Sequence, residues 1–268
     1  MNAKTSSVRY DRWVAVLLVW VAAWPCIAQT PIAPDRPGFG DAASVVAPGD
    51  FQVEAGYTYT DLGLEDQHAF GQVLLRLGLA RRVEVRVGLN SYVFQEQVCP
   101  AFFPCAQDNE YDKGFEDLTL GAKVKLVEGS GDAQPVLTAI VGAAVPTGDE
   151  AFTADHVQPA LTLALDLALS EAVAFSGNAG YTFTLGDDRV DEFVTYASLG
   201  AGIPGIDGLG IFVGLYTVFP RSGSVGNDLD GGLVYLFDTV TQFDLNLGLG
   251  LTQDEPDFFV GVGIARRF

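Results

Sequence analysis

Positive charge and histidine are scarce in this chain, cysteine is nearly absent, and no long apolar run follows the first two dozen residues. Each shortage removes a class of protein. Only 15 lysines and arginines stand against 34 aspartates and glutamates among 268 residues, a formal net charge of −19. So acidic a chain has no electrostatic footprint for nucleic acid, and from solution it would not seek an anionic phospholipid surface. Histidine occurs only at positions 68 and 156. Ser91 and Ser176 are the serines that might be argued as nucleophiles, but no motif places either beside a histidine and an orienting group, so catalysis is not expected. His68 and His156 read as rim residues. No metal or cofactor is expected either, because two cysteines without a histidine nearby make a poor zinc site. Asp228 and Asp230, flanked by Asn227 and Gly231, and the turn Asp254-Glu255-Pro256-Asp257 lack the spaced carboxylates and distal bidentate glutamate of a calcium loop. They read as solvated loop charge.

After Trp24 no segment approaches the roughly 18 apolar residues that a membrane-spanning helix needs. Yet hydrophobic residues make up 49% of the chain and its mean hydropathy is +0.24, high for so acidic a soluble protein. Something other than a helix carries that hydrophobicity.

The N-terminus has Lys4, Arg9 and Arg12, an apolar stretch from Trp13 to Trp24, and the small-residue end Cys26-Ile27-Ala28. This is the pattern of a cleaved secretory signal, with removal expected after Ala28. Cleavage takes away three basic and one acidic side chains and leaves a net charge of −21. The two remaining cysteines, Cys99 and Cys105, are separated by Pro100-Ala101-Phe102-Phe103-Pro104 and read as a small-loop disulfide in an oxidising compartment.

The apolar residues alternate. Phe51, Val53, Ala55, Tyr57 and Tyr59 share one face against Gln52, Glu54, Thr58 and Thr60 on the other. Leu161, Leu163, Leu165, Leu167 and Leu169 are set against Thr162 and Asp166, and Phe258, Val260, Val262, Ile264 and Phe268 against Gly261, Gly263, Ala265 and Arg267. Twelve such segments begin at Phe51, Phe70, Val83, Leu118, Val136, Val157, Val173, Phe193, Gly210, Leu229, Thr241 and Phe258. Connections after even strands are short, for example Ala80-Arg81-Arg82, Ser170-Glu171 and Asp238-Thr239; those after odd strands are generally longer and more acidic. An even count, one apolar face per strand, and short turns alternating with long loops predict an all-β protein. The expected fold is a transmembrane antiparallel up-and-down β-barrel of about twelve strands in the outer membrane of a Gram-negative bacterium. Residues 1–28 would be the signal peptide, 29–49 an extended periplasmic lead-in and 50–268 the barrel. Tyr57, Tyr59, Tyr92, Phe94, Tyr181, Phe183, Tyr216 and Phe219 form an expected outer aromatic girdle, with Phe51, Phe237 and Phe268 at the periplasmic end. Phe268, a terminal aromatic on the closing strand, resembles the signal read by the outer-membrane assembly machinery.

The polar faces give the candidate lumen residues: Glu54, Arg76, Glu84, Arg86, Asp117, Lys123, Lys125, Asp166, Asp244 and Arg267. Twelve strands fall between a barrel filled by side chains and one with an aqueous channel, so the mixed charges fit either an ion-pair network or a polar conduit.

With these motifs placed, the chain resembles the outer-membrane transporter family labelled as a putative MetA pathway of phenol degradation. The resemblance rests on Asp35-Arg36-Pro37-Gly38-Phe39, on Gly49 to Tyr59, on Leu79 to Gly88, on Gly114 to Lys123, on Pro146-Thr147-Gly148-Asp149, on Asp230-Gly231-Gly232 and on Arg267-Phe268. The cysteine-bearing loop departs from the family pattern. The resemblance implies an exported barrel linked to passage of small, in part aromatic, compounds, and it carries over no binding residue. The expected function is passive passage of small solutes, with outer-membrane lipid and lipopolysaccharide as surroundings. The alternative is a filled, loop-presenting barrel whose acidic outer loops bind a partner or lipopolysaccharide.

Overall fold

In a computed structural model of the chain, residues 30–97, 111–129, 134–185, 191–253 and 255–268 are described. The expected signal peptide and the Cys99/Cys105 pair lie outside the described residues. The strands are β1 (Phe51–Asp61), β2 (Glu65–Ala80), β3 (Val83–Gln97), β4 (Tyr111–Phe115), β5 (Leu118–Val127), β6 (Val136–Val145) and β7 (Gln158–Ala168). They continue with β8 (Val173–Thr182), β9 (Glu192–Gly202), β10 (Leu209–Pro220), β11 (Gly226–Asp238), β12 (Thr241–Gly250) and β13 (Phe258–Arg267). Neighbours pair antiparallel, and β13 pairs with β1, so the sheet closes. β4 pairs with the outer half of β3 and β5 with its inner half. The two are one stave interrupted at Glu116-Asp117, which makes a barrel of twelve staves.

Period-two alternation decides which face meets which medium. Leu161, Leu163, Ile211, Val213, Leu215, Leu245, Leu247, Val260, Val262 and Ile264 point outward, each leaving more than a third of its surface uncovered. A continuous apolar belt of this kind requires an apolar medium, and closure of the sheet removes the open edges that such a medium could not satisfy. The opposite face is polar and buried.

The sequence-based strand limits shift in three places. β2 begins at Glu65, not Phe70, so the first outer connection is only residues 62–64. Leu62 donates to the Glu65 carbonyl (2.8 Å) and Asp61 Oδ1 accepts from Gly63 (2.8 Å), closing a tight turn. The fourth stave begins at Tyr111, before a break made by Asn90. Asn90 has φ +52°, and its side-chain amide reaches the Asp117 carbonyl. Third, β11 begins at Gly226, not Leu229, which puts Asp228 on the strand with Asp230. Both are 2% exposed inside the barrel, so they are not solvated loop charge; alternation with outward-facing Leu229 turns both inward.

Tyr216 also departs from expectation. It lies between the outward residues Leu215 and Thr217 on β10, so its ring enters the lumen, where it stacks on Phe39 (centroids 4.5 Å apart) and takes no part in the girdle. At the outer rim, Asp117 sits at the break between β4 and β5. Its carboxylate accepts from the backbone N–H groups of Thr147, Gly148 and Ala154, each at 2.9 Å. Asp149 returns the contact: its Oδ2 accepts from the Phe115 N–H (2.6 Å).

Candidate permeation pathway

Residues 31–50 form no strand and run inside the barrel. The Ile32 N–H donates to the Thr239 carbonyl in the periplasmic turn after β11 (2.9 Å), and the Gly49 N–H donates to the Gly78 carbonyl near the periplasmic end of β2 (2.9 Å). Between these anchors the chain enters the lumen and comes back, with Arg36 to Gly40 at its tip. Its two arms are joined by Ala42 N–H to Asp35 Oδ1 (3.0 Å) and by Ser44 Oγ to the Ala33 carbonyl (3.2 Å). Extended backbone without a sheet partner needs hydrogen-bond partners from elsewhere. The lumen face provides them. Ala43 N–H reaches Asp166 Oδ2 (2.8 Å), Val46 N–H reaches Glu84 Oε2 (2.7 Å), and the Asp35 N–H reaches the Glu54 carboxylate (3.0 Å). Thr138 Oγ1 donates to the Ala43 carbonyl (2.5 Å) and Asn178 Nδ2 to the Asp41 carbonyl (2.9 Å).

The charged candidates gather around this segment. Arg76 pairs with Glu84 (2.8 Å), Glu54 (3.0 Å) and Asp35 (3.3 Å). Lys123 meets Asp35 at 2.5 Å, and Arg86 meets Asp41 at 2.7 Å and Asp35 at 3.2 Å. Arg76, Glu54, Glu84 and Lys123 have no exposed surface. Charges so fully removed from water persist only when paired and hydrogen-bonded. Asp35, from the plug, is the anion that three barrel cations share.

Arg36 forms the second anchor. Its guanidinium donates to Gln72 Oε1 (2.9 Å), Asp244 Oδ1 (3.2 Å) and the Val262 carbonyl (3.2 Å). Room for it comes from Gly56 and Gly263, which face each other across β1 and β13. A Cβ at either position would lie about 2.2–2.4 Å from the guanidinium.

Of the ten charged lumen candidates, Glu54, Arg76, Glu84, Arg86, Lys123, Asp166 and Asp244 therefore contact the plug. Arg267 is buried at the periplasmic rim, 3.5 Å from Asp50. Lys125 is half-buried near the periplasmic end of β5, and Asp117 caps the outer connection. Ser176 donates to Asp166 Oδ1 (2.8 Å), and His68 bonds the Tyr57 hydroxyl on the outer face (2.8 Å). Phe268 lies exposed at the periplasmic end beside Phe51, to which it is joined by two backbone hydrogen bonds. Sequence reasoning missed Asp35, Arg36, Phe39, Tyr196 and Asp230 as lumen groups. The Asp35-Arg36-Pro37 element was the available signal for the first three. For Tyr196 and Asp230, hydrogen-bonded at 3.1 Å, position on the polar face of β9 and β11 was the signal.

The plug divides the remaining space. Toward the outer ends of the strands lie a cavity of 440 Å³ beside Phe39, Tyr216 and Asp228 and another of 350 Å³ beside Arg86, Gln158 and Thr182. In the periplasmic half lies a third, of 180 Å³, beside Ser176, Ser198 and Val234. The periplasmic cavity shares Arg36 and Pro37 with the first outer cavity and Asp41 with the second. The tip of the plug thus lines the periplasmic cavity and both outer ones.

A closed antiparallel barrel of twelve staves with an apolar exterior and a polar, plugged interior is the architecture of the Gram-negative outer membrane. Residues 34–268 match the family described as Putative MetA-pathway of phenol degradation, and the chain belongs to that family. Among solved structures it resembles an outer membrane channel from Pseudomonas putida F1, with 16% identity, a TM-score of 0.62, and coverage of 87% of this chain and 100% of that one. The NanC porin (7% identity, TM-score 0.53) and the KdgM porin in complex with disordered oligogalacturonate (10%, 0.52) each cover 81% of this chain and 98% and 99% of their own. At these identities the likeness is one of fold. No curated protein matches the sequence.

Proposed function

We propose that the protein is an outer-membrane channel for passive movement of small solutes, narrowed by its own N-terminal segment. The observation that carries this is the divided lumen: a cavity on the periplasmic side and two outer cavities are lined in common by residues at and beside the tip, Arg36, Pro37 and Asp41. The aromatic lining of the larger outer cavity and the family's link to phenol degradation support small aromatic or hydrophobic compounds as solutes. The porin and channel relatives support passage as the shared use of the fold. Phe268 fits the role of assembly signal by its exposed position on the closing strand.

The buried ion cluster favours a second reading, a barrel closed for good that presents acidic outer loops to lipopolysaccharide or a partner. Planar-bilayer recording on the folded protein separates the two. The channel reading expects discrete conductance steps and solute-dependent current; a heat-modifiable, correctly folded barrel with neither would overturn it.

A further inference from the structure

The 440 Å³ outer cavity has a chemical character of its own. One wall is aromatic: Phe39, at the tip of the plug, stacks on Tyr216 on one side and meets the Phe259 edge-on at 5.3 Å, yet leaves 41% of its surface uncovered. The other wall is acidic. The Asp228 and Glu255 carboxyl groups lie against each other at its rim, with Glu255 seated over Gly226. Two buried acceptors in this lining have no hydrogen-bond partner among the described residues: Asp228 Oδ1, on a side chain 2% exposed, and Asn246 Oδ1, on one 8% exposed. The cation in the wall, Arg36, is already paired with Asp244.

We propose that this cavity binds a protonated primary amine carried on an aromatic or apolar body. Unsatisfied buried acceptors are costly until a donor reaches them. An ammonium group brings three donors and a positive charge. Asp228 and Glu255 supply the matching negative charge, and aromatic faces attract a cation and cover an apolar body. A neutral hydroxyl brings one donor and no charge to set against the acid pair. The volume lies within the range of small-molecule sites. This names a solute class for the channel and rests on the channel reading for passage alone, because binding is measured on the isolated barrel.

The test is titration calorimetry on the full folded barrel in detergent, with 2-phenylethylammonium as probe and 2-phenylethanol as its neutral counterpart. The ammonium should bind about tenfold or more tightly than the alcohol, and Asp228→Asn should weaken the ammonium by about tenfold while leaving the alcohol unchanged. Glu255→Gln, in the connection after β12, gives the same reading in reduced measure should Asp228→Asn fail to fold. No binding of the ammonium, equal binding of the two probes, or wild-type binding by the folded variants would overturn the inference. Binding without conductance would overturn the channel reading and leave the amine site standing.

Discussion

Arg76 shows why single residues matter inside this barrel. Its guanidinium is the shared donor to Glu54 and Glu84, both without exposed surface, and forms an ion pair with Asp35. Removing one member of a buried ion cluster strands the charges that remain, at a cost of about 3–5 kcal/mol. Arg76→Met should therefore lower the temperature at which the barrel loses its heat-modifiable form in SDS, and Arg76→Met with Glu84→Gln should recover part of that loss. Arg76→Lys keeps the charge but not the fork of donors, and it should fall between. Asp117, outside the spanning strands, offers a pH counterpart. Its burial would raise the pKa, but the N–H groups of Ala154, Gly148 and Thr147 hold it below the ordinary carboxylate value. A depressed pKa stabilises above the unfolded value, about 3.9, and that contribution is lost as pH falls through the folded one. The connection of residues 146–157 should thus stay docked at neutral pH and loosen below about pH 4. Asp117→Asn should loosen it throughout, read as faster amide exchange at Gly148 and Ala154.

The elements of this fold were unequally legible. Period-two alternation carried the staves because lipid on one side and a polar lumen on the other force every second residue to change character. The bulge at Asn90 and the turn at 62–64 escaped because one residue in an unusual conformation shifts the register without altering composition. The plug escaped for a different reason. An irregular segment has no period, and residues 31–50 lie in the lumen because of partners scattered from β1 to β13. The lumen side chains were readable as polar, but not as hydrogen-bond partners for a backbone running between them. The Asp35-Arg36-Pro37 element and the Pro146-Thr147-Gly148-Asp149 motif gain physical content from the fold. The first supplies the anion and the cation that anchor the plug, and the second interlocks with Glu116-Asp117 at the outer rim. Deleting residues 32–46 should raise single-channel conductance several-fold, because the tip stands in the wall between the outer and periplasmic cavities. It should also lower thermal stability, since Lys123 and Arg86 lose Asp35. Unchanged conductance in the folded deletion variant would show that the restriction lies elsewhere.

For the molecule as a whole, the arrangement of charge matters more than the excess. Inside, the cluster around Arg76 is nearly balanced, with Asp35, Asp41, Glu54 and Glu84 against Arg76, Arg86 and Lys123. The surplus of acid therefore resides elsewhere, and much of it stands at the outer ends of the staves: Asp61, Glu65 and Asp66, Asp149, Glu150 and Asp155, Glu192, Glu255 and Asp257. Few bases offset these, and one that does, Arg221, is committed to Asp191 at 3.2 Å. A mouth lined by one sign of charge concentrates the opposite ion and repels its own. Its reach is set by the Debye length, about 10 Å at 0.1 M salt and about 3 Å at 1 M. If ions pass, potassium should therefore be favoured over chloride, strongly at low salt and with selectivity fading toward unity as the salt is raised. A selectivity fixed by the narrow tip would change little with salt, because Arg36 and Asp244 lie close together and within the lumen, where screening ions enter poorly. Reversal potentials measured across potassium chloride gradients centred on 0.1 M and on 1 M distinguish these cases. A preference that collapses with salt places the filter in the acidic mouth, one that persists places it at the plug, and anion preference would contradict both.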